Sequence, residues 1–239
     1  MTGVAAGLLL ASAILVVIPE GFEVAASAAS DSQAFVYEPV VLGAAVLAGF
    51  LAMLSLEGLG IGHDIHEEHH DHAEGHGHGH VHHPTSATSL VLGLSAHAVA
   101  DGLAIGSAAA ASDTAFSVVV AIAVLIHRVP AAFSLGVFTL HENQTPTRAL
   151  QSVVAFAAAT PVAMLASFVL LDGADVGVIA LALLFAAGTF VYVATVDTLP
   201  AVHNTELGRR SMRNVLLGAA IFAVVLWLAG LGGLLEHSQ

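Results

Sequence analysis

The sequence predicts an all-α, polytopic membrane protein, with seven membrane-spanning helices in one transmembrane domain covering residues 1–239. Two observations predict this class. Hydrophobic residues make up 57% of the chain and charged residues only 10%, whereas a soluble domain has about 25% charged residues. The chain also contains seven apolar stretches of about 20 residues, the length that a helix needs to cross a bilayer. No stretch is polar enough to form a soluble domain.

The first four helices follow from apolar runs and from the residues between them. The run 3–27 is a retained helix rather than a signal peptide, because it lacks a positively charged start, and Pro19-Glu20 is interpreted as marking the approach to its end. The run 39–62 is the second helix and leads into a histidine-rich tract. The runs 87–111 and 115–140 form the third and fourth helices, and each carries a polar motif at a depth that should be buried in lipid.

Three further runs complete the bundle. Residues 147–171 form the fifth helix, which begins at Arg148. Residues 176–201 form the sixth, which is closed by a proline-marked string at its end. Residues 212–235 form the seventh, and three arginines lie around its start. The closing string is Asp197-Thr198-Leu199-Pro200, and the arginines are Arg209, Arg210 and Arg213.

Arginine placement predicts the orientation, because the cytoplasmic connections of membrane proteins carry an excess of positive charge. Arg148 and the arginines near the seventh helix lie on one side of the alternating spans, and the histidine-rich tract falls on that side too. The opposite connections hold acids and no basic residue. The tract and the N-terminus are therefore predicted to be cytoplasmic and the C-terminus outside, in a plasma (inner) membrane.

The charge balance and the cysteine count narrow the function. The chain has 18 acidic residues against five basic ones, for a formal net charge of −13. Such a chain discourages nucleic-acid binding, attracts cations, and suits a salt-loving source. Because the chain has no cysteine, it has neither disulfides nor thiolate metal ligands.

The third helix carries His97 and Asp101 in the string HAVADG. Residues four apart lie one turn apart on the same helix face, and an imidazole with a carboxylate is a good ligand pair for a divalent transition metal. Ionisable groups at membrane depth cost about 2.5 to 3.5 kcal/mol each on insertion scales, so they need a partner or a function. A hydrogen bond between helices is the alternative, but a second motif favours the metal site.

That second motif is HRVP at 127–130, in the fourth helix. Pro130 removes a backbone hydrogen bond and predicts a kink, and broken membrane helices mark transporter binding sites. His127 is therefore a candidate metal ligand, with an ordinary proline kink as the alternative. Arg128 cannot readily lose its charge, so it needs an acid, and it is interpreted as a substitute for a second cation. Its candidate partners are Asp101, Glu20, Glu57 and Asp197.

Two acids stand beside the prolines that mark helix ends. Glu20 follows Pro19, and Asp197 precedes Pro200. Both are candidate metal ligands at the entry or exit of a pathway. Helix termini at the water boundary are the alternative interpretation.

A histidine-rich tract, residues 63–83, connects the second and third helices and has 10 histidines in 21 residues. It is low in complexity and is predicted to be disordered without metal. Imidazoles in such a tract capture zinc, copper or nickel in shifting geometries. The histidines are His63, His66, His69, His70, His72, His76, His78, His80, His82 and His83.

These motifs together resemble the ZIP (Zrt-/Irt-like) family of divalent-metal transporters over nearly the whole chain. The second motif resembles most closely the branch that contains the ninth mammalian member. The family has eight spans, and the first matching string resembles the end of the second, which implies that the family's first helix is absent from this chain. The strings are VIPEGF at 17–22, HAVADGLAIG at 97–106, HRVPAAFSLG at 127–136 and AAGTFVYVATVDTLP at 186–200.

The resemblance also implies a site with two adjacent metal positions, of which this chain retains one. His97, Asp101 and His127 match ligands of the first metal. Three positions depart from the family pattern and remove the second metal. They are Ala98 for the usual Asn, Arg128 for a polar or acidic residue and Ala131 for the bridging Glu.

The sequence and the resemblance therefore predict a transporter, not an enzyme. The expected cargo is Zn²⁺, with Fe²⁺, Mn²⁺ or Co²⁺ as further candidates, moving toward the cytoplasm. No resident cofactor is predicted, and the expected partners are metal ions, membrane lipids and, as the family implies, a second copy in a homodimer. The alternatives are a cation-diffusion exporter, a membrane-embedded zinc hydrolase and a metal-responsive receptor. The exporter class usually has six spans and a soluble C-terminal domain, and a hydrolase needs a general base.

Overall fold

The computed structural model describes residues 2–28, 35–59, 87–111, 114–141, 145–203 and 208–231. In those ranges every regular element is helical, and seven helical stretches are long and apolar enough to cross a membrane, which confirms the predicted class. The elements are α1 (Thr2–Ser12), a π-helical turn (Ala13–Val17), α2 (Ile18–Ser27), α3 (Pro39–Gly58), α4 (Ala87–Ala110), α5 (Thr114–His141), α6 (Pro146–Leu171), α7 (Val176–His203) and α8 (Gly208–Leu231).

The first span continues past Pro19 to Ser27, as the run 3–27 predicts, so Pro19-Glu20 does not close it. Helix α2 continues to Ser27, and the chain passes Pro19 after a π-helical turn in which the Ile18 N–H donates to the carbonyl of Ala13. A proline has no N–H to give to the carbonyl four residues earlier. Because the wider turn bonds residues five apart, it accommodates this missing donor within a continuous span.

Two further helix boundaries differ from the prediction. Helix α7 continues through Pro200 to His203, so the proline-marked string does not close it. Helix α8 begins by Gly208, which places Arg209 and Arg210 in its first turn rather than in the preceding connection. Both differences lie at the polar boundary of the bundle, where water satisfies the backbone groups of a terminal turn, so a helix extends beyond the apolar run there.

Two helices form the inside of the bundle, and three lie toward its periphery. In the most apolar part of each helix, 67% of the residues of α4 and of α7 are buried. The corresponding shares are 17% for α3, 17% for α6 and 11% for α8. Helix α7 packs against α1, α2, α3 and α4, and α4 packs chiefly against α6. The apolar side chains left exposed on the peripheral helices are those expected to face lipid.

The connections on one end of the bundle are tied together by Asp175, just before α7. Its carboxylate accepts a 3.0 Å hydrogen bond from the backbone N–H of Phe35, ahead of α3, and a 2.8 Å bond from that of Gly177. The second bond satisfies a donor in the first turn of α7. The α2–α3 and α6–α7 connections therefore lie at the same end, as alternating spans require.

Candidate metal centre

Helix α4 brings His97 and Asp101 together near the middle of the bundle. The Nε2 atom of His97 lies 3.5 Å from Oδ1 of Asp101, one turn further along the helix. The two residues are 5% and 0% exposed, so this polar pair is removed from lipid and water alike. At 1.5 Å per residue, both lie within about 4 Å of the midpoint of α4 along its axis. The spacing predicted this pair, and the structure places the two side chains in contact.

Helix α5 contributes Arg128, which is 8% exposed and faces the same carboxylate. Its Nη1 atom lies 3.6 Å from Oδ2 of Asp101. Asp101 is one of the four acids that the sequence offered as partners, and the structure places it beside Arg128. A second, Glu57, instead accepts a 2.5 Å hydrogen bond from the hydroxyl of Tyr192, between α3 and α7.

Helix α6 completes the centre through Phe156, which the sequence did not indicate. The Nη2 atom of Arg128 donates a 2.8 Å hydrogen bond to the backbone carbonyl of Phe156. The guanidinium carbon also lies 4.4 Å from the centroid of the Phe156 ring. The buried positive charge is thus shared among a carboxylate, a carbonyl dipole and the electron-rich face of a ring.

Small and hydroxylated residues hold α6 against α4 beside this centre. The hydroxyl of Thr160 donates to the carbonyl of Ala98 at 2.8 Å, and that of Ser167 donates to the carbonyl of Gly102 at 3.2 Å. The helices approach so closely that a Cβ added to Gly102 would lie 2.5 Å from the carbonyl oxygen of Thr160. Small residues permit such contacts between membrane helices. Ala98, which accepts the hydrogen bond from Thr160, lies three residues before Asp101. This bond therefore fixes the helical turn that carries the Asp101 carboxylate.

Several predicted site residues are not placed in this cluster. The backbone of α5 puts His127 next to Arg128, but the His127 side chain lies outside the described part of the chain, as does that of Asp197 in α7. Glu20 is partly buried in α2. The histidines of residues 63–83 also lie outside the described residues. Among the described side chains, no group of three or more His, Asp or Glu residues is arranged to hold a metal.

The described centre therefore consists of one imidazole, one carboxylate and one guanidinium where α4, α5 and α6 meet. The imidazole and carboxylate are the ligand types that suit zinc and neighbouring divalent metals. A guanidinium has five donors and no acceptor, so it cannot be a ligand. The arrangement offers two ligands from one helix, beside a fixed positive charge.

The sequence matches a protein family described as "ZIP Zinc transporter" over residues 60–226. It is 30% identical to zinc transporter ZIP9 of Xenopus tropicalis over 245 residues, covering 87% of this chain and 78% of that protein. It is 34% identical to ZIP9 of Micropogonias undulatus over 167 residues, covering 67% of this chain and 51% of that protein. It is 29% identical to zinc transporter ZIP1 of Danio rerio over 176 residues, covering 72% of this chain and 53% of that protein. The chain thus spans about half the length of two of these relatives.

Proposed function

Because this chain belongs to the ZIP family of zinc transporters, we propose that it carries divalent transition-metal ions, chiefly Zn²⁺, across a membrane. The family match favours this function over a cation-diffusion exporter. The names of the relatives, all zinc transporters, favour it over a membrane hydrolase. Fe²⁺, Mn²⁺ and Co²⁺ are further candidate cargo, because imidazole with carboxylate does not select among these metals.

The observation that carries the proposal is the buried pair of His97 and Asp101 at mid-depth in α4. A histidine and an aspartate buried in a membrane bundle are costly, and such residues mark ion pathways. We assign His97 and Asp101 as metal ligands, and His127 as a third ligand on the strength of its motif. Glu20 and Asp197 are assigned as ligands on the way in and out.

We propose that Arg128 takes the place of a second metal ion. Its guanidinium lies 3.6 Å from the carboxylate of Asp101. A second metal ion next to the first would be balanced by the same carboxylate. A fixed positive charge there weakens the binding of a divalent ion by repulsion. The consequence is a site that holds one metal loosely enough to release it, as transport requires.

The proposed direction is uptake toward the cytoplasm. Arg148, Arg209 and Arg210 are exposed at one end of the bundle, and Asp172 is exposed at the other. The arginine-bearing end is assigned to the cytoplasm, and the acidic end would gather cations outside. The histidine-rich residues 63–83 would then receive ions after release. We further propose that the protein works as a homodimer in the plasma membrane.

Zinc flux into proteoliposomes tests the proposal. We expect His97→Ala to lower the initial rate by about tenfold or more, because losing a metal ligand costs at least as much as losing its hydrogen-bonded supporting group. The matched control is His141→Ala, because His141 is exposed at the end of α5, far from the centre. A His97→Ala protein that transports zinc at the control rate would remove His97 from the site.

A further inference from the structure

The guanidinium of Arg128 is held more tightly by Phe156 than by the acid that balances its charge. The contact with the Phe156 carbonyl is a 2.8 Å hydrogen bond, and the ring lies at 4.4 Å. The contact with Asp101 is 3.6 Å, which is an ion pair beyond hydrogen-bonding length. Neutral groups of α6 therefore hold the guanidinium in place, while the carboxylate of Asp101 on α4 lies beyond hydrogen-bonding distance.

This arrangement is unusual for an arginine beside a carboxylate. A free guanidinium tends to form two parallel hydrogen bonds to a carboxylate, at about 2.7 to 2.9 Å each. Such a forked pair would occupy both oxygens of Asp101, and a metal would have to break it before binding. The anchor on Phe156 keeps Arg128 near enough to balance charge without forming the fork.

Phe156 is itself fixed in position. It is 1% exposed and packs in a cluster with Leu90, Leu94, Ala98 and Leu135. One turn further along α6, the hydroxyl of Thr160 is bonded to the carbonyl of Ala98, on the helix that carries Asp101. The distance from the Phe156 ring to the carboxylate is therefore set by packing and by a direct bond between the two helices.

We propose that Phe156 is a positioning residue for metal binding, and that its ring and carbonyl hold Arg128 away from Asp101 so that the carboxylate can bind the transported ion. The inference rests on the proposed function, because it assigns Asp101 to the metal. It predicts that weakening the anchor lets Arg128 close on Asp101. Metal affinity should then fall, while the fold remains intact.

Phe156→Leu tests this, since it keeps the backbone carbonyl and most of the apolar volume but removes the ring. We expect the KM for zinc flux in proteoliposomes to rise by about fivefold to thirtyfold, the range of a largely desolvated cation–π contact. Phenylalanines with increasing numbers of ring fluorines, introduced at the same position, keep the shape and weaken the ring face. The KM should rise with each added fluorine, because each one weakens the attraction between the ring face and the guanidinium.

A double-mutant cycle separates positioning from packing. In an Arg128→Met protein there is no guanidinium to position, so adding Phe156→Leu should change the KM by less than about twofold. Phe190→Leu is the matched control, because Phe190 is fully buried in α7 with the main core. Its effect should be the same in both backgrounds.

The proposal is overturned if Phe156→Leu changes the KM equally with and without Arg128, or if fluorination has no effect on KM. Failure of the proposed function would look different. In that case the unaltered protein would show no zinc flux, or His97→Ala would leave the flux unchanged. A wild-type protein that transports zinc through His97, with no coupling between Phe156 and Arg128, rejects the positioning role alone.

Discussion

Arg128 carries a permanent charge at the midpoint of α5, where an arginine costs about 2.5 to 3.5 kcal/mol on insertion scales. A hydrogen bond to a charged group contributes about 1.5 to 3 kcal/mol, and a cation–π contact about 0.5 to 2 kcal/mol. The two contacts with Phe156 therefore offset most of this cost before Asp101 is counted. An arginine is tolerated here because one residue of a neighbouring helix supplies both an acceptor and a ring.

Replacing Arg128 should strengthen metal binding and slow release. In Arg128→Met, the charge that repels the cation is gone, and charges a few ångströms apart interact by about 2 to 4 kcal/mol at an effective dielectric constant near 20. We expect the zinc KM to fall by about tenfold or more and the maximal rate to fall with it. Flux kinetics in proteoliposomes measure both quantities.

Arg128→Lys is the matched variant for this prediction, because it keeps the charge and loses the planar fork. Its KM should stay closer to that of the unaltered protein than the KM of Arg128→Met does. An Arg128→Met protein with unchanged KM and rate would show that the guanidinium does not act on the transported ion.

Thr160 should matter for stability through a single hydrogen bond. Thr160→Val keeps the shape but removes the bond to the carbonyl of Ala98. We expect the free energy of unfolding to fall by about 0.6 to 1.5 kcal/mol, the range measured for polar contacts between membrane helices. Thr160→Ser keeps the hydroxyl and is the control. Thermal unfolding in detergent distinguishes them, and equal melting temperatures would contradict the prediction.

The described centre shows which part of a site the sequence can predict. His97 and Asp101 were predictable because four-residue spacing on a helix places ligand-type side chains together. Phe156 was not, because its acceptor is a backbone carbonyl and its side chain is an ordinary apolar one. Thr160-Pro161 in α6 is the one local signal, since a hydroxyl beside a proline in a membrane helix suggests contact with a neighbour.

At the scale of helices, the apolar runs predicted all seven spans, whereas prolines and charges were poor guides to where each helix ends. Pro19 and Pro200 both lie inside helices. A missing N–H removes one bond, and a surrounding bundle or a local change of helix type compensates for it. Boundaries therefore depend on neighbours that a single sequence does not reveal.

The seam between α3 and α7 depends on glycine. A Cβ added to Gly49 would lie 1.9 Å from the carbonyl oxygen of Phe185, so Gly49→Ala forces the two helices apart. We expect a loss of about 1 to 3 kcal/mol of stability, the usual cost of overpacking. Gly43→Ala lies in the same helix, where an added Cβ meets nothing within 4 Å, and should be neutral or mildly stabilising. Thermal unfolding measures the stability of both variants. Equal losses of stability in Gly49→Ala and Gly43→Ala would contradict the role of Gly49 in the seam.

For the whole molecule, charge asymmetry between the two ends predicts the topology. The chain has no native cysteine, so a single introduced cysteine would be its only thiol and a thiol-specific label would report on that position alone. Asp172 follows α6 at one end of the bundle, and His141 ends α5 at the other. We expect an impermeant maleimide to label Asp172→Cys on intact cells and His141→Cys only after permeabilisation. The reverse pattern would invert the orientation and the proposed direction of transport.

The π-helical turn at Ala13–Val17 also has a consequence for how one span serves two neighbours. An extra residue in a turn advances the helix by about 100° around its axis, so the halves before and after it are out of phase. Helix α1 packs mainly against α8, and α2 mainly against α7. Removing one residue from the turn would restore a uniform helical pitch. The span could then present its packing face to α8 or to α7, but not to both.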